Sequence, residues 1–233
     1  MDEELVELIR QLIEKYPRYG IRRIHHVLKY ECGKAINIKT VHRIMKRKQW
    51  TLKDRPKGFR PRVWGWKSRC EKPDERWAID TTHFFTEANG WCHMTGVIDC
   101  CDRMIVGHRV SASGKTAVAE GALEDALITR RPSAGLKLRS DNGLVFGAKS
   151  LVALCRKWGV KPEYITPYTP EQNGLIERFF RSLKEECIWL YNFVSVHHAQ
   201  RVIGEWIETY NNNRPHYALG KLSPMQWRQK YVA

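Results

Sequence analysis

The chain has 233 residues, 42% hydrophobic and 28% charged, and its 40 Lys and Arg against 25 Asp and Glu leave a net charge of +15. The apolar share is enough to bury a core and excludes wholesale disorder, and the lack of any run of about 18 apolar residues excludes a membrane-spanning helix. Such an excess of positive charge calls for a polyanionic partner, either nucleic acid or an anionic membrane surface.

The charge is unevenly placed. Residues 1–70 carry 19 Lys/Arg and 7 Asp/Glu, whereas residues 71–233 are nearly neutral, and Lys39 to Arg69 holds twelve basic side chains against the single acid Asp54. The acidic, amphipathic start MDEELVELIRQ lacks the basic-then-apolar order of a secretory signal. Seven cysteines, an odd number with no CxxC pair, predict reduced thiols in a cytoplasmic protein. A zinc site from Cys92, His93, Cys100 and His83 has no standard ligand spacing and is discounted.

In chain order, Leu5, Leu8, Ile9 and Leu12 form one helical stripe, and Pro17 and Gly20 end it. Ile21, Ile24, Val27 and Leu28 form a second, stopped by Gly33. Val41, Ile44 and Met45 form a third, with Lys39, Arg43, Lys46, Arg47 and Lys48 off the apolar face. Three short helices with tight turns, the last one basic, resemble a helix-turn-helix module. A solvated helical bundle would explain the helices but not the one-sided charge, which favours contact with double-stranded DNA through these side chains and through Arg22 and Arg23. Residues 51–72 read as a basic aromatic linker. They contain Pro56, Gly58, Pro61 and Gly65, interleave Phe59, Trp64 and Trp66 with basic groups, and offer Arg60 and Arg62 to a DNA backbone.

From Arg76 the texture changes. RWAIDTTHFF, GWCHMTGVIDCCDR and MIVGHRVS read as strands, with Asn89-Gly90 as the turn between the first two. A helix follows over 115–129, then the strand LKLRSD, a helix over 147–158, the strand KPEYIT, a long helix over 173–191 and another over 198–211. The order βββαβαβα predicts an α/β fold: a ribonuclease-H-like mixed five-stranded sheet with flanking helices, preceded by the small all-α segment. The expected divisions are 1–50 helical and DNA-binding, 51–72 linker, 73–191 catalytic core and 192–233 a C-terminal helical extension.

Asp80 falls in the middle of the first strand, Asp141 where the fourth strand ends, and Glu177 one turn into the long helix. In this fold the three converge. Carboxylates held close together protonate unless a cation compensates, and an all-oxygen set selects Mg²⁺ or Mn²⁺. Two such ions serve in-line displacement at phosphorus, so the chemistry indicated is phosphodiester cleavage or strand transfer. Singly, Asp99, Asp102 and Asp125 are equally good candidates; the constellation sets the three apart.

Asp141 and Glu177 are separated by 35 residues, and WAIDTT, LRSDNG and PYTPEQNGLIERFFRSLKEE carry the three acids. With the ending YNNNRPHYALGKLSPMQW and the basic helical stretch at the front, the chain resembles the D-D-35-E transposases of the retroviral-integrase-like superfamily, those encoded by the downstream reading frame of insertion sequences. The resemblance implies that Asp80, Asp141 and Glu177 are the catalytic triad and hold two Mg²⁺ ions. It also implies a dimer or larger assembly on two element ends, and an upstream-frame product or fusion as a partner. The zinc-binding HHCC module of retroviral integrase is missing, since only Cys32 lies near His25, His26 and His42, so transposition is the better reading than viral integration. On the Glu177 helix, Lys184 and Arg181 lie on the acid's own face and are expected at the DNA, with Gln172 and Asn173 in the preceding loop and Asn142 beside Asp141. A stand-alone nuclease and a non-catalytic DNA-binding regulator remain as alternatives.

Overall fold

The computed structural model describes residues 2–52, 70–166 and 169–232. The chain forms two compact units, Met1–Pro61 and Arg62–Ala233.

The first unit contains α1 (Glu3–Lys15), α2 (Ile21–Tyr30) and α3 (Ile38–Arg47). Asp2 caps α1 by accepting from the Leu5 N–H, and Asn37 caps α3 by accepting from the Lys39 N–H. The three apolar stripes meet in one small core of Leu5, Ile9, Leu12, Ile24, Val27, Leu28, Val41, Ile44 and Met45. One expectation is corrected. The α2–α3 connection is not tight but runs over residues 31–37, turning at Gly33, whose φ is 65°. His25 braces it by a 2.8 Å hydrogen bond to the Ile36 carbonyl.

The second unit is built on a five-stranded sheet: β1 (Arg76–Thr86), β2 (Gly90–Asp99), β3 (Ile105–Ser111), β4 (Lys137–Ser140) and β5 (Lys161–Tyr164), in the spatial order β3-β2-β1-β4-β5. β1 to β3 are antiparallel, and β4 and β5 add in parallel beside β1. The helices are α4 (Thr116–Arg130), α5 (Lys149–Lys157), α6 (Gly174–Glu186), α7 (Val196–Asn212) and α8 (Pro224–Tyr231). Strand alternation divides the core between the two faces. Trp77, Ile79 and Val97 pack with α4 and α5, while Ala78, Phe84, Met94 and Ile98 pack with α6 and α7. Gly107 lets α4 lie directly on the sheet, since a Cβ there would stand 2.2 Å from the Ala122 carbonyl oxygen.

The mixed sheet follows the expected order, with local departures. Thr86 pairs with Gly90, so the hairpin loop is Glu87–Asn89, and of the expected turn dipeptide only Gly90 has positive φ (67°). A two-residue turn would require it of both central residues. The long helix stops at Glu186, and a 3₁₀ turn over Ile188–Leu190 follows. The last helix, α8, falls in the expected C-terminal helical extension but carries only a weak apolar pattern; a Ser223–Gln226 capping box starts it.

The C-terminal segment is part of this unit. Asn211, buried on α7, accepts from the Ile105 N–H and donates to the Ile105 carbonyl, both at 2.9 Å. Arg214 is buried and grips Glu186 through two bonds, so it caps the fold. Asp99 and Asp102 are fully buried with Arg130, which also reaches Asp74, and Arg228 of α8 reaches Asp102 and Asp74. Trp77 donates its indole N–H to Asp74 and Asp99. Two competing acids are thereby structural, and the third, Asp125, pairs with Arg109 on the surface.

Candidate active site

β4 runs in register with β1, pairing Arg76 with Lys137, Trp77 with Leu138 and Ala78 with Arg139. Continued by two residues, that register sets Asp80 level with Asp141, where β4 has just ended. Adjacent strands lie about 4.8 Å apart, so the sheet itself brings the two acids together. Asp80 shares its strand face with Ala78, which packs with Ile176, Phe179, Phe180 and Leu183 of α6. Glu177 stands on the first turn of that helix, exposed beside this buried stripe.

The electrostatics carry the same juxtaposition. Burial pushes the Asp80 carboxyl up to about 6; the Thr81 N–H opposes this, the Asp141 and Glu177 charges add to it, and Lys184 offsets part of it. Asp80 Oδ1 accepts from the Thr81 N–H at 2.7 Å and Asp141 Oδ1 from the Gly143 N–H at 2.9 Å. Each aspartate thus has one oxygen fixed by backbone. Gly143 is needed for this, since a Cβ there would stand 2.9 Å from Asp141 Oδ1.

A divalent cation fits the chemistry of this set. Its donors are carboxylate oxygens, and Asp80 is raised by exactly the kind of field that a cation relieves. Among the described residues no three His, Cys, Asp or Glu side chains form a ready-made cage for a metal ion.

The loop before α6 is held by bonds that sequence reading missed. Arg139 donates to the Gln172 carbonyl at 2.8 Å and, with Arg76, to Glu163 of β5. Burial raises the Glu163 carboxyl, but the two guanidinium groups outweigh it and hold it below the usual carboxylate range. The only hint in the sequence was a basic residue two positions before Asp141. Several residues expected at the DNA are occupied here instead. Gln172 accepts from the Thr166 N–H at 2.9 Å and donates to the Thr166 hydroxyl, and Asn142 donates to the Ile165 carbonyl at 3.0 Å. Asn173 is only 3% exposed, which removes it from the surface; its Oδ1 is buried without a hydrogen-bond partner. Arg181 is exposed and pairs with Glu185. Lys184 is half-buried, and its charge reaches Asp80.

In the helical unit, Lys39, Arg43, Lys46, Arg47 and Lys48 are all exposed, opposite the buried Val41, Ile44 and Met45. Arg22 is exposed, and the Arg23 guanidinium lies 5.1 Å over the Tyr19 ring. Arg60 and Arg62 lie outside the described residues.

Comparison with known proteins agrees with this architecture. Residues 71–170 and 158–224 match two family models, each described as an integrase core domain, and residues 1–58 match an HTH-like domain. The chain is 28% identical over 237 residues to the transposase InsD for insertion element IS2A/D/F/H/I/K of Escherichia coli and to that for IS2D of Escherichia coli strain K12. Each alignment covers 97% of this chain and 78% of the relative. Among solved structures, it resembles a chain of the simian T-cell lymphotropic virus intasome in complex with the PP2A regulatory subunit B56 gamma, with a TM-score of 0.60, 17% identity, and 96% of this chain and 74% of that chain covered. The catalytic core domain of BIV integrase gives 0.50 at 21% identity, covering 68% of this chain and 97% of that one. The fold is that of the ribonuclease-H-like integrase cores.

Proposed function

We propose that the chain, which matches integrase core-domain models over residues 71–170 and 158–224, is a DNA transposase, a polynucleotidyl transferase that nicks DNA at insertion-sequence ends and joins the freed 3′ end to target DNA. The observation that supports this reading is that Asp141, level with Asp80 in the continued register of β4 on β1, and Glu177 of α6 both act on the Asp80 carboxyl through their charges. Asp80, Asp141 and Glu177 are the residues that would hold Mg²⁺ or Mn²⁺, two ions per site. When bound, such ions supply Lewis acidity toward the attacking and leaving oxygens of a phosphodiester.

The chain's own residues do the rest. The Thr81 and Gly143 N–H groups fix one oxygen of each aspartate and leave the other oxygen to a bound cation. Lys184 offers a cation to the same phosphate, and the exposed basic face of α3 adds salt-sensitive affinity for double-stranded DNA. In the first reaction water attacks phosphorus, the bond to the 3′ oxygen breaks, and a proton goes to that oxygen. In the second the new 3′-OH attacks a target phosphodiester and displaces its 3′ oxygen. Both are direct displacements, with no covalent protein–DNA intermediate. Assembly as a dimer or larger oligomer on two ends, joined by an upstream-frame product, belongs to the same reading, in the cytoplasm of a prokaryote.

The test is incubation of the full chain with element-end duplex and Mg²⁺, followed by mapping of the nicked strand and of strand-transfer products. Asp80→Asn, Asp141→Asn and Glu177→Gln should each lower both reactions by more than about a hundredfold while the protein stays folded and bound to DNA. Cleavage that survives all three overturns the site. Nicking without joining of a pre-cut 3′-OH end makes the protein a nuclease, and DNA binding with neither reaction makes it a regulator.

A further inference from the structure

Away from the carboxylates, two thiols meet beside the start of β1. Trp77 pairs with Asp99 across the β1–β2 ladder, which sets Cys100 next to Arg76, and the Cys100 N–H donates to the Arg76 carbonyl at 3.0 Å. The chain ahead of β1 turns back on this point. Glu75 accepts from the Glu71 and Lys72 N–H groups, and the Asp74 N–H donates to Asp99. The turn so fixed brings Cys70 to Arg76 and packs it against the cluster that contains Cys100. Glu163 holds Nε and Nη2 of the Arg76 guanidinium, and Nη1 points at Cys70 Sγ, 3.5 Å away.

Cys70 is half-buried, Cys100 is buried, and both are free thiols. The largest influence on each is a hydrogen bond with the other. It holds Cys70 below the ordinary thiol range, helped by the Arg76 charge and opposed by burial and Asp99. The same bond raises Cys100, as do burial and Asp99. The pair thus presents a thiolate toward solvent with a thiol behind it, and a thiolate beside a guanidinium is the reactive kind. Cys101 is also half-buried, but burial, Asp99 and Asp102 push it up to about 12. Burial pushes Cys155 up to about 11 and Cys187 to about 12.

We propose that Cys70 and Cys100 are a modification site for low-molecular-weight disulfides of the oxidised-glutathione class, which convert them to an intramolecular disulfide, with the Arg76 guanidinium stabilising the attacking sulfur. The Cys70 thiolate attacks one sulfur of the reagent, its S–S bond breaks, and one small thiolate leaves. Cys100 then loses its proton and attacks Cys70 Sγ, expelling the second small thiolate. Overall, two cysteine thiols and one small disulfide give one protein disulfide and two small thiols. Two electrons move to the reagent, and the thiol protons end on its two halves. The bond closes a loop of about 30 residues through β1 and β2 and ties the end of the 51–72 linker to the residue that follows β2. None of this depends on the transposase reading.

The experiment incubates the full reduced chain with oxidised glutathione near neutral pH, alkylates the remaining thiols in denaturant, and maps the peptides by mass spectrometry without reductant. The wild type should give a linked Cys70–Cys100 peptide. Cys100→Ser should stop at one glutathionyl group on Cys70, and Cys70→Ser should leave Cys100 and Cys101 unoxidised. Cys70 should react at least about tenfold faster than Cys101. Arg76→Gln should slow Cys70 roughly tenfold, and Arg76→Lys, which keeps the charge, should restore most of the rate. The buried Cys92, Cys155 and Cys187 should stay reduced throughout, as they do only in a folded protein. The proposal is overturned by the lack of any bridge, by a bridge from Cys70 to another cysteine, or by a glutathionyl group that stays on Cys70 in the wild type. Oxidation of every thiol at one rate, or an Arg76→Gln rate equal to that of the wild type, overturns it as well.

Discussion

Asp80 is the residue on which the site's electrostatics turn. Burial, with Asp141 and Glu177 adding to it, lifts its carboxyl from the ordinary 3.8 to about 6. The folded state therefore binds this proton more tightly than the unfolded chain does. Stability from that protonation is fully present below about pH 4 and lost as pH rises through 6. Without divalent ions, Asp80→Asn should be more stable than the wild type at pH 8, by of the order of 1–2 kcal/mol after solvent screening. The gap should close at pH 4, as read from thermal melts at the two pH values. Divalent-ion affinity, measured by calorimetry, should fall as pH drops below 6, where the proton competes with the ion. An Asp80→Asn effect of equal size at both pH values would refute this account. Asp99 is likewise raised, by burial and by Asp102, yet Arg130 and Arg228 already answer that site's charge. A lone acid in an apolar strand is thus ambiguous until its partners are known.

At the scale of elements, the geometry of the proposed site depends on β4, β5 and the loop into α6 acting together. Glu163 joins Arg76 of β1 to Arg139 of β4, and Arg139 holds the Gln172 carbonyl two residues before the Glu177 helix begins. Glu163→Gln would keep the shape but remove the charge that aligns both guanidinium groups. It should slow nicking roughly ten- to hundredfold, as loss of an outer partner of a metal ligand does, and cost about 1–3 kcal/mol of stability. Amide hydrogen exchange should rise over residues 169–175 and stay unchanged in α4. Exchange that rises equally throughout the unit would reduce Glu163 to a general stabiliser. Sequence periodicity found β4, β5 and α6 individually. The bonds between them join residues 24, 33 and 87 positions apart, which no local pattern encodes.

For the second unit as a whole, the C-terminal helices complete the core instead of extending it. Arg130 and Arg228 neutralise Asp74, Asp99 and Asp102 at the end of the sheet opposite the hairpin, and this ties α8 to α4 and to the β2–β3 turn. Arg130→Ala would leave two fully buried carboxylates short of a partner and should cost about 3–5 kcal/mol. The loss should be smaller at pH 5 than at pH 8, because the stranded carboxylates take up protons at the lower pH. Urea titrations at both pH values provide the measurement. A loss that does not depend on pH would mean that packing, not charge, is what Arg130 supplies.

The sequence alone determined the order of elements and the basic front end and singled out three acids as candidates, because each rests on local quantities: helical or two-residue periodicity, charge density, and a motif spacing along the chain. It also predicted, on residue type, that the polar groups around the acids face DNA. Only the tertiary structure decided which of them are committed elsewhere. Gln172 and Asn142 close the loop, Asn173 is buried, and Asp99 and Asp102 are held by arginines from α4 and α8. Lys184, by contrast, acts on Asp80 through its charge. The open edge of β1 beyond β4 was invisible in one dimension for the same reason. It exists because β4 is four residues long against eleven in β1, and the open edge created by that mismatch belongs to the pairing of strands, not to either strand's own sequence.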